Sequence, residues 1–189
     1  FFFFYYSGNS ADLWLFNDNP KYPVKRIQVK GATNADWEEL ASDDEYVYIG
    51  DTGNNSGTRR DLTVYKVRRS GVFESGEVSA EKIHFSYPDQ KKYSPSGKHN
   101  FDCEAMVCIG DSLYVFTKNR GNGKTDAYGF PKMPGTYTAE KFGSYDVEGL
   151  VTGAAYRSVE THGQLALIGY AFEDQGYHPF ILWFSGISV

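Results

Sequence analysis

Apolar and polar residues alternate with a period of two along most of this chain, and runs of that kind predict half-buried strands. The clearest are Tyr46-Val47-Tyr48-Ile49-Gly50, Leu113-Tyr114-Val115-Phe116-Thr117 and Leu165-Ala166-Leu167-Ile168-Gly169. Each follows the same short phrase: Asp36-Trp37-Glu38-Glu39-Leu40, Asp102-Cys103-Glu104-Ala105-Met106 and Asp146-Val147-Glu148-Gly149-Leu150. Recurrence of this kind predicts one supersecondary unit built several times, with a first strand at the Asp-x-Glu phrase and a second at the Tyr-rich run. Third strands are expected at 62–67 and 125–130, and fourth strands at 81–85 and 141–145. No long helical period occurs anywhere. Residues 35–41 have room for a single turn but read as the lead-in to a strand.

Four antiparallel strands recurring about every 40 residues describe an all-β chain, a β-propeller of four-stranded blades with about four blades present. The units run over residues 1–33, 34–99, 100–145 and 146–189. Their spacing is uneven: Asp36 and Asp102 are 66 residues apart, Asp102 and Asp146 only 44. The surplus falls after Val67 and between Pro88 and Asn100, a Lys/Ser/Pro/Gly-rich stretch expected to be a surface loop. A partial unit comes first, with its second strand at 13–18 and its third at 24–29. Its opening strand is the aromatic run 1–6, which lacks the acidic phrase. That run has no basic residues before it and no cleavage site after it, so it is no signal peptide; it reads as a buried strand in a domain already under way. Residues 181–184 are the third strand of a last unit.

Composition narrows the function classes. Among 189 residues are 15 Tyr and 14 Phe, which suit pleated surfaces. A formal charge of −5 argues against a nucleic-acid binder, which needs a basic footprint. No apolar stretch has the roughly 18–20 residues of a membrane helix. Cys103 and Cys108 stand on one strand at opposite parity, so their side chains are expected on opposite faces, unbonded and buried as small apolar groups. The four histidines lack zinc-ligand spacing.

The repeat also says where to look for chemistry. In a propeller, the loop entering the innermost strand and the loop leaving the second strand open on one face. Glu38, Glu104 and Glu148 are therefore expected to ring a channel mouth, with Asp18, Asp51, Lys118 and Tyr170 beside them. Clustered carboxylates repel, so such a ring binds a cation, raises its own pKa values or recruits Lys118 and Arg120. Oxygen-only donors suit calcium better than zinc, which makes the three glutamates the candidate metal ligands. Asp36, Asp102 and Asp146 serve equally well as caps on backbone amides. The loop 51–57 fails the EF-hand pattern, with Leu62 where a bidentate Glu is required, yet Asp51 or Asn54 still offers an oxygen. Residues 121–125 look like the tail of a phosphate loop but lack its first glycine, Lys118 standing there, and its helix. Arg59, Arg60, Lys66, Arg68 and Arg69 read as a solvated outer face. His99 is the one histidine near the mouth; a triad with Ser94 or Ser96 has no nucleophile-elbow motif behind it.

These residues carry a resemblance. The run 34–40 with Tyr46-Val47-Tyr48-Ile49-Gly50-Asp51-Thr52-Gly53-Asn54-Asn55, and the run 101–106 with Lys118-Asn119, resemble secreted β-propeller proteins of Bacteroidetes-type bacteria, over most of the chain from about residue 7. More remotely, the Asp-x-Glu-x-Leu/Met phrase resembles phytase-like esterase and SdiA-regulated propellers. The resemblance implies an exported, six-bladed propeller of which this chain is part, with a closed four-bladed ring or an assembly of open halves as the alternatives, secreted, periplasmic or on the cell surface, with its signal sequence outside the chain. It also implies glutamates at the channel, with calcium. Two functions follow as expectations. One is a binding or scaffold module that takes a small molecule, glycan or peptide at the mouth through Asp18, Asp51, Asn54, His99, Lys118 and Tyr170. The other is a calcium-assisted hydrolase of a phosphoester or lactone.

Overall fold

The computed structural model describes residues 2–4, 8–17, 21–159, 162–173 and 176–187. They form four sheets in chain order. Sheet 1 holds β1 (Phe2–Phe4), β2 (Asp12–Leu15) and β3 (Lys25–Lys30). Sheet 2 holds β4 (Trp37–Ser42), β5 (Tyr46–Asp51), β6 (Thr63–Arg68) and, after α1 (Arg69–Glu74) and β7 (Glu77–Ser79), β8 (Glu81–Ser86). Sheet 3 holds β9 (Cys103–Ile109), β10 (Ser112–Thr117), β11 (Lys124–Pro131) and, after β12 (Gly135–Thr138), β13 (Glu140–Asp146). Sheet 4 holds β14 (Leu150–Val159), β15 (His162–Glu173) and β16 (Gly176–Ile187). Consecutive strands within each sheet pair antiparallel, so the all-β class and its strand-by-strand order follow the expected pattern.

β7 and β12 behave differently. Each leaves its own unit and pairs parallel with the outer edge of the preceding sheet, β7 on β3 and β12 on β8. Neither loan was expected from the sequence. Nor was α1, a six-residue turn with no side-chain cap. It forms because Val72, fully buried, docks into the core between sheets 1 and 2. Residues 88–100 carry no regular structure, yet Gln90 is buried and donates to the Gly57 carbonyl at 3.0 Å.

Apolar faces meet between consecutive sheets. Val47, Ile49, Tyr65 and Val67 of sheet 2 pack on Leu13, Ile27 and Val29 of sheet 1. Tyr48, Val64 and Ile83 face the other way, against Met106, Leu113, Val115 and Tyr128 of sheet 3. Ala105, Val107, Phe116 and Ala127 then meet Val151, Leu165 and Leu167 of sheet 4. Strands covered on both faces read as nearly continuous apolar runs, which explains Thr63 to Val67, all buried. The first strands stand side by side, β4 against β9 and β9 against β14. Leu40, Met106 and Ala154 from these three strands line one cavity of about 190 Å³. Among the described residues, nothing covers the far side of sheet 4, where Ile181 and Trp183 are 70% and 57% exposed.

Two expectations need correction. Cys103 and Cys108 are free, but both point to the sheet 2–sheet 3 core rather than to opposite faces. A bulge between them inserts one residue and cancels the parity argument. The basic run is not simply solvated either. Lys66 is 5% exposed, with its ammonium 4.0 Å from the Tyr46 ring centre, so its stem is buried and its charge rests on an aromatic face.

Candidate functional site

The bulge has a chemical consequence. In β4 the ladder passes from Trp37 opposite Asp51 to Glu39 opposite Gly50, leaving Glu38 unpaired. In β9 it passes from Cys103 opposite Thr117 to Ala105 opposite Phe116, leaving Glu104 unpaired. An extra residue in a strand re-aims its side chain, so both glutamates escape the in–out alternation at the same point of neighbouring first strands. Gly53 makes the room: a Cβ there would fall 2.3 Å from Asp36 Oδ2 and 2.6 Å from Glu38 Oε1.

The third phrase is displaced. Asp146 is the last residue of β13, in sheet 3, opposite Lys124. Glu148 is exposed in the following turn at φ 48°, and β14 starts only at Leu150. Val151 pairs with Gly169 as Trp37 pairs with Asp51 and Cys103 with Thr117, each just before the bulge, and the bulge of β14 falls on Thr152. The acidic pair thus occupies one structural position in two units, not three. Gly149 shows why: it is buried against Tyr170 and the Phe180 ring, where a Cβ would come within 2.6 Å, so the strand entry is set by packing.

Around Glu38 and Glu104 the charges are unequal. Lys118 Nζ reaches both oxygens of Glu104, at 2.7 and 2.8 Å, and lies 5.3 Å from the centre of the Tyr170 ring. Arg120 stands 3.8 Å from Glu104 and pairs with buried Asp102. Among the described residues, no cation stands within ion-pair distance of Glu38, while Lys118 binds Glu104. Burial first, then the charges of Glu104, Asp36 and Asp102, push the Glu38 pKa up to about 9 despite Lys118. Burial also raises Glu104, against the pull of Lys118. At neutral pH Glu38 is therefore a carboxylic acid that can donate a hydrogen bond, beside Glu104, whose two oxygens accept from Lys118. Lower in the same row, Glu39 bridges sheets 2 and 4 by accepting from the Ala154 amide at 3.2 Å, and burial pushes it up to about 7.

The other expected ligand residues divide clearly. Tyr170 and Lys118 join the two glutamates. Asp51 accepts from the Asp36 amide at 2.7 Å and from Arg59 at 3.1 Å. Asn54 is 1% exposed; its amide donates to Asp102, its side chain donates to the Phe101 carbonyl, and its oxygen accepts from the Arg59 amide. These two residues brace the loop under the site. His99 accepts from the Phe101 amide at Nδ1, which leaves Nε2–H to donate to the Asn55 carbonyl at 3.1 Å, so neither nitrogen serves Ser94, Ser96 or Asp102. Asp18 lies outside the described residues. Arg59 and Glu39 were missed from sequence: Arg59 was hidden in a basic run, and Glu39 looked like the flank of the phrase.

Among the described residues, no group of three or more His, Cys, Asp or Glu side chains is placed to hold a metal ion. Glu104 is already engaged by Lys118, and Glu148 is exposed in its turn, where its backbone amide donates to Asp146. The glutamate trio as arranged does not fit a calcium cage. No helix among the described residues is long and apolar enough to cross a membrane. Compared with models of known protein families and with curated protein sequences, the chain matches none.

Proposed function

We propose that this chain is an extracytoplasmic binding or scaffold module of β-propeller type, in which the four sheets are blades and the first strands line the axis. The arrangement of β4, β9 and β14 around a common cavity supports the radial reading, as does the room for lent strands at the outer edges. The exported location rests on the resemblance of residues 34–55 and 101–119 to secreted propellers. One observation carries the functional reading: polar groups of three successive sheets, Glu38, then Glu104 with Lys118, then Tyr170, meet at one end of the first strands. A neutral acid, an ion pair and an aromatic ring recognise an uncharged polar ligand such as a glycan or a peptide backbone. Calorimetry against glycan and peptide panels tests it. Binding lost on Glu104→Gln and on Tyr170→Ala is the expected result; a ligand indifferent to both substitutions overturns the reading.

A second reading is a hydrolase of a phosphoester or lactone. Glu38 favours it, because a carboxyl group kept protonated at neutral pH is suited to proton donation. An esterase, lactonase and phosphatase panel, run with and without calcium, decides between them. Turnover that Glu38→Gln abolishes would replace binding by catalysis. Calcium stays part of this proposal only, and a titration showing no saturable calcium binding removes it.

A further inference from the structure

The connections between consecutive sheets are very unequal. Residues 31–36 link β3 to β4 and residues 147–149 link β13 to β14, whereas residues 87–102 link β8 to β9. A connection of more than about 12–15 residues without regular structure is uncommon in a compact fold, and where it is ordered it is usually functional. This one is pinned along its length, between the two inner sheets of the four. Asp89 accepts from the Tyr128 hydroxyl at 2.9 Å and from Lys141 at 2.8 Å. Gln90 donates to the Gly57 carbonyl, the Ser96 amide to the Ser56 carbonyl at 2.9 Å, and His99 to the Asn55 carbonyl. Between these anchors Lys91, Lys92 and Lys98 are exposed. Arg60 of the adjoining loop is exposed too, with its guanidinium 3.7 Å from the centre of the half-buried Tyr93 ring. Charge is handled differently here from the surrounding surface. Arg59, Lys118, Arg120 and Lys141 each pair with a carboxylate. Among the described residues no carboxylate pairs with Arg60, Lys91, Lys92 or Lys98, and Lys91 reaches only the Pro88 carbonyl. Asp89, the one acid of residues 88–100, is taken by Lys141.

We propose that this strap, residues 88–100 with Arg60, is a docking surface for an acidic polysaccharide, a linear chain of sugars bearing carboxylate or sulfate groups. Four cations without carboxylate partners concentrate positive potential on a chain whose formal charge is −5. Because they are spread along an exposed strap, they match negative charges that recur along a chain better than one small anion. The guanidinium of Arg60 can fork onto a carboxylate or sulfate, and its stack on Tyr93 offers a flat face to a sugar ring. The pinned backbone sets the cations in place before the ligand arrives, which lowers the ordering cost of binding. Other polyanions fit less well. A nucleic acid would meet net negative charge beyond the strap, and an anionic membrane would find no large exposed apolar side chain in it to insert. The surface is separate from the carboxylate cluster, and neither reading depends on the other.

The probes are polygalacturonate for carboxylate, dextran sulfate for sulfate and neutral dextran as the control, each titrated calorimetrically against the full chain. Saturable binding to at least one acidic polymer is expected, weakening as salt rises, with none to neutral dextran. Which acidic polymer binds identifies the charged group. Lys92→Ala combined with Lys98→Ala is expected to weaken binding at least about tenfold, and Glu104→Gln to leave it unchanged. Amide exchange of the unaltered chain should slow over residues 91–98 when the polymer is added, a readout that stands even if a variant misfolds. No saturable binding up to about 1 mM sugar repeat, equal binding of neutral dextran, or affinity unchanged by the double substitution overturns the proposal. Tighter binding to single-stranded DNA or to phosphatidylglycerol vesicles also overturns it, by making a different polyanion the occupant. Loss of binding on Glu104→Gln overturns it as well, since the polymer would then sit at the carboxylate cluster.

Discussion

The boundary between sheets 2 and 3 and the boundary between sheets 3 and 4 are built from the same phrase, yet they differ at every level. In the first, Asp36 and Asp102 both sit immediately before their strands. Asp102 is fully buried, held by the Asn54 amide and by Arg120, and the loops after β5 and β10 are tied together through it. β12 pairs with the outer edge of sheet 2. In the second, Asp146 has been drawn into the preceding sheet, Glu148 is exposed in a left-handed turn, and no strand among the described residues pairs with the outer edge of β13. A repeated motif therefore does not guarantee a repeated position. What fixes position is the ladder partner and the space beside it: Gly53 leaves room for two carboxylates, whereas Gly149 is filled over by Phe180.

The largest effect is expected at the first boundary. Asp102→Ala strands Arg120 and the Asn54 amide without their acceptor and should cost about 3–5 kcal/mol, the loss typical of breaking a buried pair from one side. Urea unfolding of the variant measures it, and a cost near zero would dissolve the contrast. Next comes a pH effect. Burial raises the Glu39 pKa to about 7 from its ordinary value of 4.5, so the folded state binds its proton more tightly than the unfolded state. The stability linked to it is fully present below about pH 4.5 and is lost as pH rises through about 7. Glu39→Gln should therefore stabilise the protein by about 3 kcal/mol at pH 8 and leave pH 4 unchanged, as thermal melts at both pH values would show. Glu38 titrates in the same sense over a higher window, up to about 9.

Smaller changes belong to the second boundary. Glu148→Gly relieves a residue at φ 48° and should stabilise by about 0.5–1 kcal/mol, visible as a raised urea midpoint. Destabilisation instead would mean the Glu148 side chain holds the turn. Asp146→Asn, the counterpart of Asp102 in sequence but exposed, should change stability by less than about 0.5 kcal/mol. An effect as large as that at Asp102 would restore the equivalence the phrase suggests.

Much of the architecture could be read from alternation alone. The Tyr-rich second strands come from local period-two patterning, while the third and fourth strands of two units and the assignment of Trp37 to a strand rather than a helical turn come from comparing the repeated units. Part of the site was legible too: Glu38, Glu104, Lys118 and Tyr170 were placed together because a repeat brings like positions to like ends. His99, Asp51 and Asn54 were not distinguishable as bracing residues, since a loop carboxylate or amide looks the same whether it faces a ligand or a backbone amide.

By itself, then, the sequence determined the strand type, the order of strands and the side on which the acids gather, because side-chain alternation is a property of neighbouring residues. Only tertiary structure decided that Glu38 and Glu104 leave the alternation at bulges, that Glu148 does not join them, and that β7 and β12 serve the preceding sheet. Register, loaned strands and the raised pKa of Glu38 depend on residues tens of positions apart. Their outcome is set by the space and the charge that folding brings alongside, which no local pattern records.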